Sequence, residues 1–215
     1  IQYSNGEEIG RIGSENRQIV PLAKIPMNVR HAVLAAEDRS FYSNRAFSIT
    51  GIARAVLNNL RGGSLQGGST ITQQYAKTAF LTPERTIQRK IKELVIAIKL
   101  ENQLSKDQIF ESYLNTIYFG RGSYGVQTAS QQYFNRNVDQ LTLSQTAVIA
   151  SILRSPGYYD PSLSEENGVR LENRFQYVID GMLNEGWITQ EQADKAKFPT
   201  VAPRVTSGTL SGPKG

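Results

Sequence analysis

The chain has no cysteine, and its one histidine is His31. The first absence removes disulfides, thiolate metal sites and cysteine nucleophiles together, and it leaves the compartment open, because a chain of this size needs no staples. The second removes the usual histidine-rich zinc site. Hard cations such as Mg or Mn, held by carboxylates and phosphates, are the metals that remain, and nothing in the sequence requires a cofactor. No apolar run approaches the roughly 20 residues of a spanning helix, so neither a transmembrane anchor nor a signal peptide is expected. Strand alternation is missing after the first few residues and no repeat is visible, which leaves a mainly α-helical fold.

What is present suffices for a core in one domain or two small lobes: 215 residues, 39% hydrophobic and 20% charged. A net charge of +5 suits an anionic partner such as phosphate, nucleic acid or a lipid surface. Asn5-Gly6 between short apolar segments predicts a β-hairpin at the N-terminus. Val29, Ala32, Val33 and Ala36 fall at helical spacing and deliver Glu37 and Asp38 at a helix end. A carboxylate on so apolar a helix is a candidate for a raised pKa. Ser48 is placed to cap the next helix, with Ile52, Val56 and Leu60 as its stripe, and the glycines of RGGSLQGG predict a mobile loop after it. Ser105 with Gln108, Thr142 with Gln145 and Thr189 with Gln192 are capping-box pairs that open later helices. Leu171, Phe175, Val178 and Met182 stripe a long helix between the last two of these starts, and a linker-like tail follows from about Pro199. Ser211 to Lys214 fits S-x-x-K without any companion motif, and is read as chance.

The donor-rich stretch from Gly67 to Glu93, GGSTITQQYAKTAFLTPERTIQRKIKE, stands out. Ser69 is placed to cap a helix whose free N–H groups and dipole favour an anion. Gln73 and Gln74 share a face of that helix with Lys77. Thr82 is expected to cap a second helix with Pro83 at its first position, bearing Arg85, Arg89, Lys92 and one acid, Glu93, with Ile87, Ile91, Leu94, Val95 and Ile98 as its core stripe. Singly, each piece has a duller account: a helix cap, a solvated basic face, an acid paired with Arg89. Their concentration in 27 residues favours a site. It is not a nucleotide P-loop, since Gly-Lys-Ser/Thr is missing, and the basic residues lack the interleaved aromatics of a nucleic-acid surface. Two glutamates flanking a cationic surface suit glycosidic chemistry with a pyrophosphate leaving group, with Glu37 as base and Glu93 orienting a basic residue or a metal.

EDRSF at Glu37–Phe41, GGSTITQQ at Gly67–Gln74, RKIKE at Arg89–Glu93 and IFESYLNTIYFG at Ile109–Gly120 together resemble the successive motifs of the peptidoglycan glycosyltransferase domain of class A penicillin-binding proteins and monofunctional transglycosylases. The resemblance covers about Glu8 to Ala196. It implies a lysozyme-like, two-lobed helical domain over residues 1–198, with a membrane-associated jaw at about 43–68 and a linker at 199–215. It implies polymerisation of lipid II into β(1→4) glycan strands, with inversion and loss of undecaprenyl pyrophosphate, at the outer face of the bacterial cytoplasmic membrane. By the same resemblance Glu37 is the general base and Glu93 the second essential glutamate. Ser69, Gln73, Gln74, Lys77, Arg85, Arg89 and Lys92 bind the donor, and Asp38 and Phe41 shape the surroundings of the base. Moenomycin is the expected inhibitor, and a transpeptidase domain is expected to be fused behind this one in the full-length protein. The family's first motif continues to a His and a Gly where Asn44 and Ala46 stand, and His31 lies upstream and cannot replace that His. The other readings are a lysozyme-like lytic hydrolase and an inactive anchor for lipid pyrophosphates.

Overall fold

A computed structural model of the chain describes residues 16–44, 69–82 and 86–204. The N-terminal hairpin, the Ser48 helix, the glycine loop, Ala46 and Arg85 lie outside these residues.

Helix α1, Met27–Glu37, buries Val29, Ala32, Val33 and Ala36 as the spacing predicts, and ends where Asp38 leaves helical backbone at φ −162° and ψ 84°. Helix α2 spans Ile71–Phe80, α3 Ile87–Gln103, α4 Lys106–Thr116 and α5 Val126–Phe134. Helix α6, Leu143–Ile152, buries every residue from Thr146 to Ile152, the pattern of a helix enclosed on all sides. It packs between α1 and α8, Glu165–Asn184, which also touch each other. A short α7, Pro156–Tyr159, links α6 to α8, and α9, Gln190–Lys195, closes the helical order. Helices α3 and α4 pack against α2. The three capping boxes form as expected, at Ser105/Gln108, Thr142/Gln145 and Thr189/Gln192.

Two starts differ from expectation. Thr70 rather than Ser69 caps α2, its hydroxyl accepting from the Gln73 N–H at 3.3 Å. Thr86 rather than Thr82 caps α3, accepting from Arg89 N–H, so that helix begins at Ile87. In both cases two hydroxyl residues competed for the cap, and the one nearer the first apolar residue won. The apolar pattern of α3 also misleads. Ile87, Ile91 and Val95 are exposed, while Glu93 and Ala97 are its buried residues.

The observed strands are brief: β1, Asn16–Arg17, runs parallel to β2, Ser123–Tyr124. Asn115 clamps the same N-terminal segment, donating to Val20 carbonyl at 2.9 Å and accepting Val20 N–H at 2.8 Å. The tail is docked at its start: Phe198 meets Phe175 with centroids 5.5 Å apart, and Ala202 N–H donates to the Tyr133 carbonyl at 2.9 Å. No helix among the described residues is long and apolar enough to cross a membrane.

Candidate active site

Glu37 sits at the last turn of α1, where the helix dipole disfavours a negative charge. Its Oε2 accepts from the Gln74 amide at 2.8 Å. Its Oε1 is buried without a hydrogen-bond partner among the described residues, and the guanidinium of Arg174 stands 3.9 Å away. Burial pushes the Glu37 carboxyl up, and the Gln74 bond and the charges of Arg174, Arg154 and Lys77 only partly offset it. Gln74 is itself oriented. The Tyr113 hydroxyl, fully buried on α4, donates to Gln74 Oε1 at 3.2 Å, which turns the amide nitrogen toward the carboxylate.

Glu93 is held differently. With 1% of its surface exposed, it receives Arg89 at 3.0 Å on Oε2 and the Lys90 ammonium on Oε1. Ser69 joins the two glutamates. Its carbonyl accepts from Gln74 at 3.2 Å, and its hydroxyl accepts from Lys90 at 3.1 Å. Ser69 thus connects the base-like carboxylate to the cationic pair, and the cap of α2 falls to Thr70.

At the N-terminus of α2 one backbone donor is taken by an acid of the protein itself. Asp38 Oδ2 accepts the Ile71 N–H at 3.3 Å, and Ser40 donates to Asp38 Oδ1 at 3.2 Å. Burial still raises the Asp38 carboxyl above its ordinary value. Phe41 is a core residue, 1% exposed, packed on Phe110 at 5.6 Å with the Lys106 ammonium 4.6 Å from its ring centre. It supports the turn after Glu37 rather than lining a ligand surface. Gln73 is buried and Lys77 is exposed, so the shared donor face reduces to Gln74 and Lys77. Lys92 is exposed and makes no ion pair among the described residues. Asn44, where the motif has a histidine, is exposed and donates to the Ser40 hydroxyl at 2.6 Å, closing the turn that follows the acids. His31 stacks on Trp187 at 4.7 Å, a structural role.

Sequence reasoning missed Lys90, Tyr113, Arg154 and Arg174. Lys90 had a signal, since it lies three residues before Glu93 on the same helix. The others come from positions far along the chain, Tyr113 on α4, Arg154 just after α6 and Arg174 on α8. Among the described residues no group of three His, Cys, Asp or Glu side chains converges. Glu93 has both oxygens bonded to cations, so it orients basic side chains.

A family model described as Transglycosylase matches residues 5–183. Penicillin-binding protein 1A of Mycobacterium tuberculosis is 47% identical over 224 residues, covering all of this chain and 27% of the relative. Penicillin-binding protein 1F of Bacillus subtilis is 42% identical, covering 95% of this chain and 28% of its own. The chain therefore spans about a quarter of the length of these relatives. A crystal structure of Penicillin-Binding Protein 1A from Haemophilus influenzae shares the fold at a TM-score of 0.53 and 24% identity, over 94% of this chain and 20% of that one. An acid on an apolar helix, tied through Ser69 to a cation-bound second acid, is thus found in a chain that belongs to the Transglycosylase family, as the peptidoglycan glycosyltransferase domain of penicillin-binding proteins.

Proposed function

We propose that this domain polymerises lipid II, with Glu37 as general base and the Lys90–Arg89 pair facing the leaving pyrophosphate. The observation that carries the reading is the relay Glu37–Gln74–Ser69–Lys90–Glu93. A carboxyl whose proton affinity is raised by desolvation, with one oxygen buried and unbonded, is suited to take a proton from a hydroxyl. In the step, the 4-hydroxyl of the acceptor gives its proton to Glu37. Its oxygen then forms the bond to C1 of the donor sugar, from the face opposite the departing undecaprenyl pyrophosphate, and C1 inverts. The charge growing on the pyrophosphate is met by ammonium and guanidinium groups instead of a proton. Lys77, near enough to Glu37 to act on its charge, adds to that field, and Arg85 and Lys92 are read as further donor contacts. A divalent cation, when bound, would neutralise the pyrophosphate itself, since Glu93 is already satisfied by its partners.

We read the domain as lysozyme-like, with a smaller jaw at 43–68, working at the outer face of the cytoplasmic membrane. Phe80, Ile87, Ile91 and Val95 support this placement, because they expose apolar surface on the helices that carry the cationic residues. The greater length of the relatives supports a fused transpeptidase domain in the whole protein.

The test is incubation with lipid II, with and without a divalent cation and moenomycin. The expected result is long glycan strands, blocked by moenomycin. Shortening of mature glycan with lipid II untouched identifies a lytic hydrolase instead, and retained lipid II binding without turnover identifies an anchor; either result overturns the reading.

A further inference from the structure

The reading of Glu37 as base leaves Arg174 unassigned. It stands on α8, 138 residues from the Ala36 carbonyl to which it donates at 2.8 Å. That carbonyl belongs to the last turn of α1, where backbone acceptors lack helical partners and a cation is favoured. Its guanidinium lies over the Tyr177 ring at 4.2 Å, and Arg39 shares that ring at 5.3 Å. The close approach of α1 and α8 depends on Gly181: a Cβ there would stand 3.3 Å from the Ala35 Cβ and 2.6 Å from Arg39. These contacts hold Arg174 in place without using Glu37. It comes to 3.9 Å from Glu37 Oε1 and forms no hydrogen bond with it, and its side chain is 11% exposed.

We propose that Arg174 is a positioning residue for Glu37, closing the end of α1 and setting a fixed positive charge beside the base at a distance that stops short of a bonded ion pair. The inference rests on the reading of Glu37 as general base. Another pair in the same molecule shows what a bonded pair does. Arg121 donates to both oxygens of Asp160, at 3.1 and 2.7 Å, and with the Ser162 bonds it lowers the Asp160 pKa in spite of burial. A carboxylate so held is a poor proton acceptor. Arg174 keeps Glu37 ionisable in a buried site without holding it as Asp160 is held.

The groups that face Glu37 are Gln74 and Lys77 from α2, Tyr113 from α4, Arg154 after α6 and Arg174 from α8, with Asp38 next in the chain. Of the cations, Arg174 weighs most on the Glu37 carboxyl. Removing its charge raises the proton affinity of Glu37 further, so the acidic limb of the pH–rate profile moves to higher pH.

The experiment compares wild type, R174Q and R174K, with R174M, which keeps the stem over Tyr177, standing in should R174Q not fold. Lipid II turnover is followed against pH, and the Glu37 carboxyl of the ligand-free protein is titrated by carbon-13 NMR. The expected result is an upward shift of about one pH unit in R174Q or R174M, in both readouts, with R174K close to wild type. An unmoved titration in the neutral variants, or a shift in R174K as large as theirs, overturns the proposal and leaves Arg174 a packing residue. If wild type fails to polymerise lipid II while the NMR shift appears, the glycosyltransferase reading fails and the positioning of Glu37 by Arg174 stands.

Discussion

Two glutamates, Glu37 partly buried and Glu93 fully so, lie at the two ends of one relay, and they are compensated in opposite ways. Glu37 ends a helix whose apolar face is in the core; it has one hydrogen bond and a loose cation at 3.9 Å. Glu93 points inward from a helix that turns isoleucines and a valine outward, and each of its oxygens meets a cation. Burial alone does not decide what a carboxylate does. Where burial outweighs the partners, as at Glu37, the proton affinity rises and the group can exchange a proton. Where two cations meet it, as at Glu93, the carboxylate fixes the positions of those cations. The first arrangement suits a base and the second a clamp on the groups that face a leaving anion.

The strongest way to break the comparison is E37Q. A general base contributes about 10²- to 10⁴-fold, so turnover is expected to fall by that order while binding of lipid II persists. Stability should move the other way. Burial raises the Glu37 pKa, so folding disfavours its ionised form. The stability present when the group is protonated, below its ordinary value near 4.3, is lost as the pH rises through the folded pKa. A permanently neutral Gln does not lose it. Thermal unfolding of E37Q should therefore run above wild type at pH 7 and converge with it near pH 4. A melting temperature below wild type at every pH means that Glu37 is a structural acid.

E93Q sharpens the other half. Neutralising Glu93 leaves Arg89 and Lys90 beside each other without their shared acid, at a cost of about 1–3 kcal/mol by denaturant unfolding. The lower end is expected, since the Lys90 side chain is 39% exposed and solvent screens its charge. Turnover falls with it, because Lys90 loses the partner that aims it past Ser69. The double variant E93Q/K90M should recover part of the stability and none of the turnover; full additivity of the two changes denies the coupling.

Much of this arrangement was legible in the chain, for physical reasons that also explain what was not. The capping boxes and the α1 stripe are local: a hydroxyl, an amide and a 3.6-residue period decide them within a few positions. Glu37 was found because it directly follows the apolar run Ala32–Ala36. Periodicity, however, reports a helix without reporting what covers it. The Ile87, Ile91 and Val95 pattern reads as core and proves to be exposed, while Glu93 takes the inward position. The roles of Ser69 and Asp38 depend on long-range partners, Lys90 at 21 residues and Ile71 at 33. Arg174, 138 residues from its acceptor, reads in sequence as one more solvated cation on a long helix.

The smallest expected effect tests how Glu37 is oriented. The Tyr113 hydroxyl donates to Gln74 Oε1, and burial, with Glu37 and Asp38 nearby, raises its pKa so that it keeps its proton. Y113F removes that donor and leaves the amide oxygen of Gln74 unpaired in a buried place, at a cost of about 1 kcal/mol in a thermal or denaturant melt. The amide is then free to present either end to Glu37. Turnover should drop by roughly fivefold, the rate equivalent of about 1 kcal/mol, with the acidic limb moved slightly upward as the Gln74 bond is lost part of the time. The Glu93 end of the relay should not respond, so the unfolding cost of E93Q measured in a Y113F background should equal its cost in wild type. A Y113F variant as inactive as E37Q breaks the comparison at its root, because the proton would then travel through Tyr113, and Glu37 would be its partner and not the base.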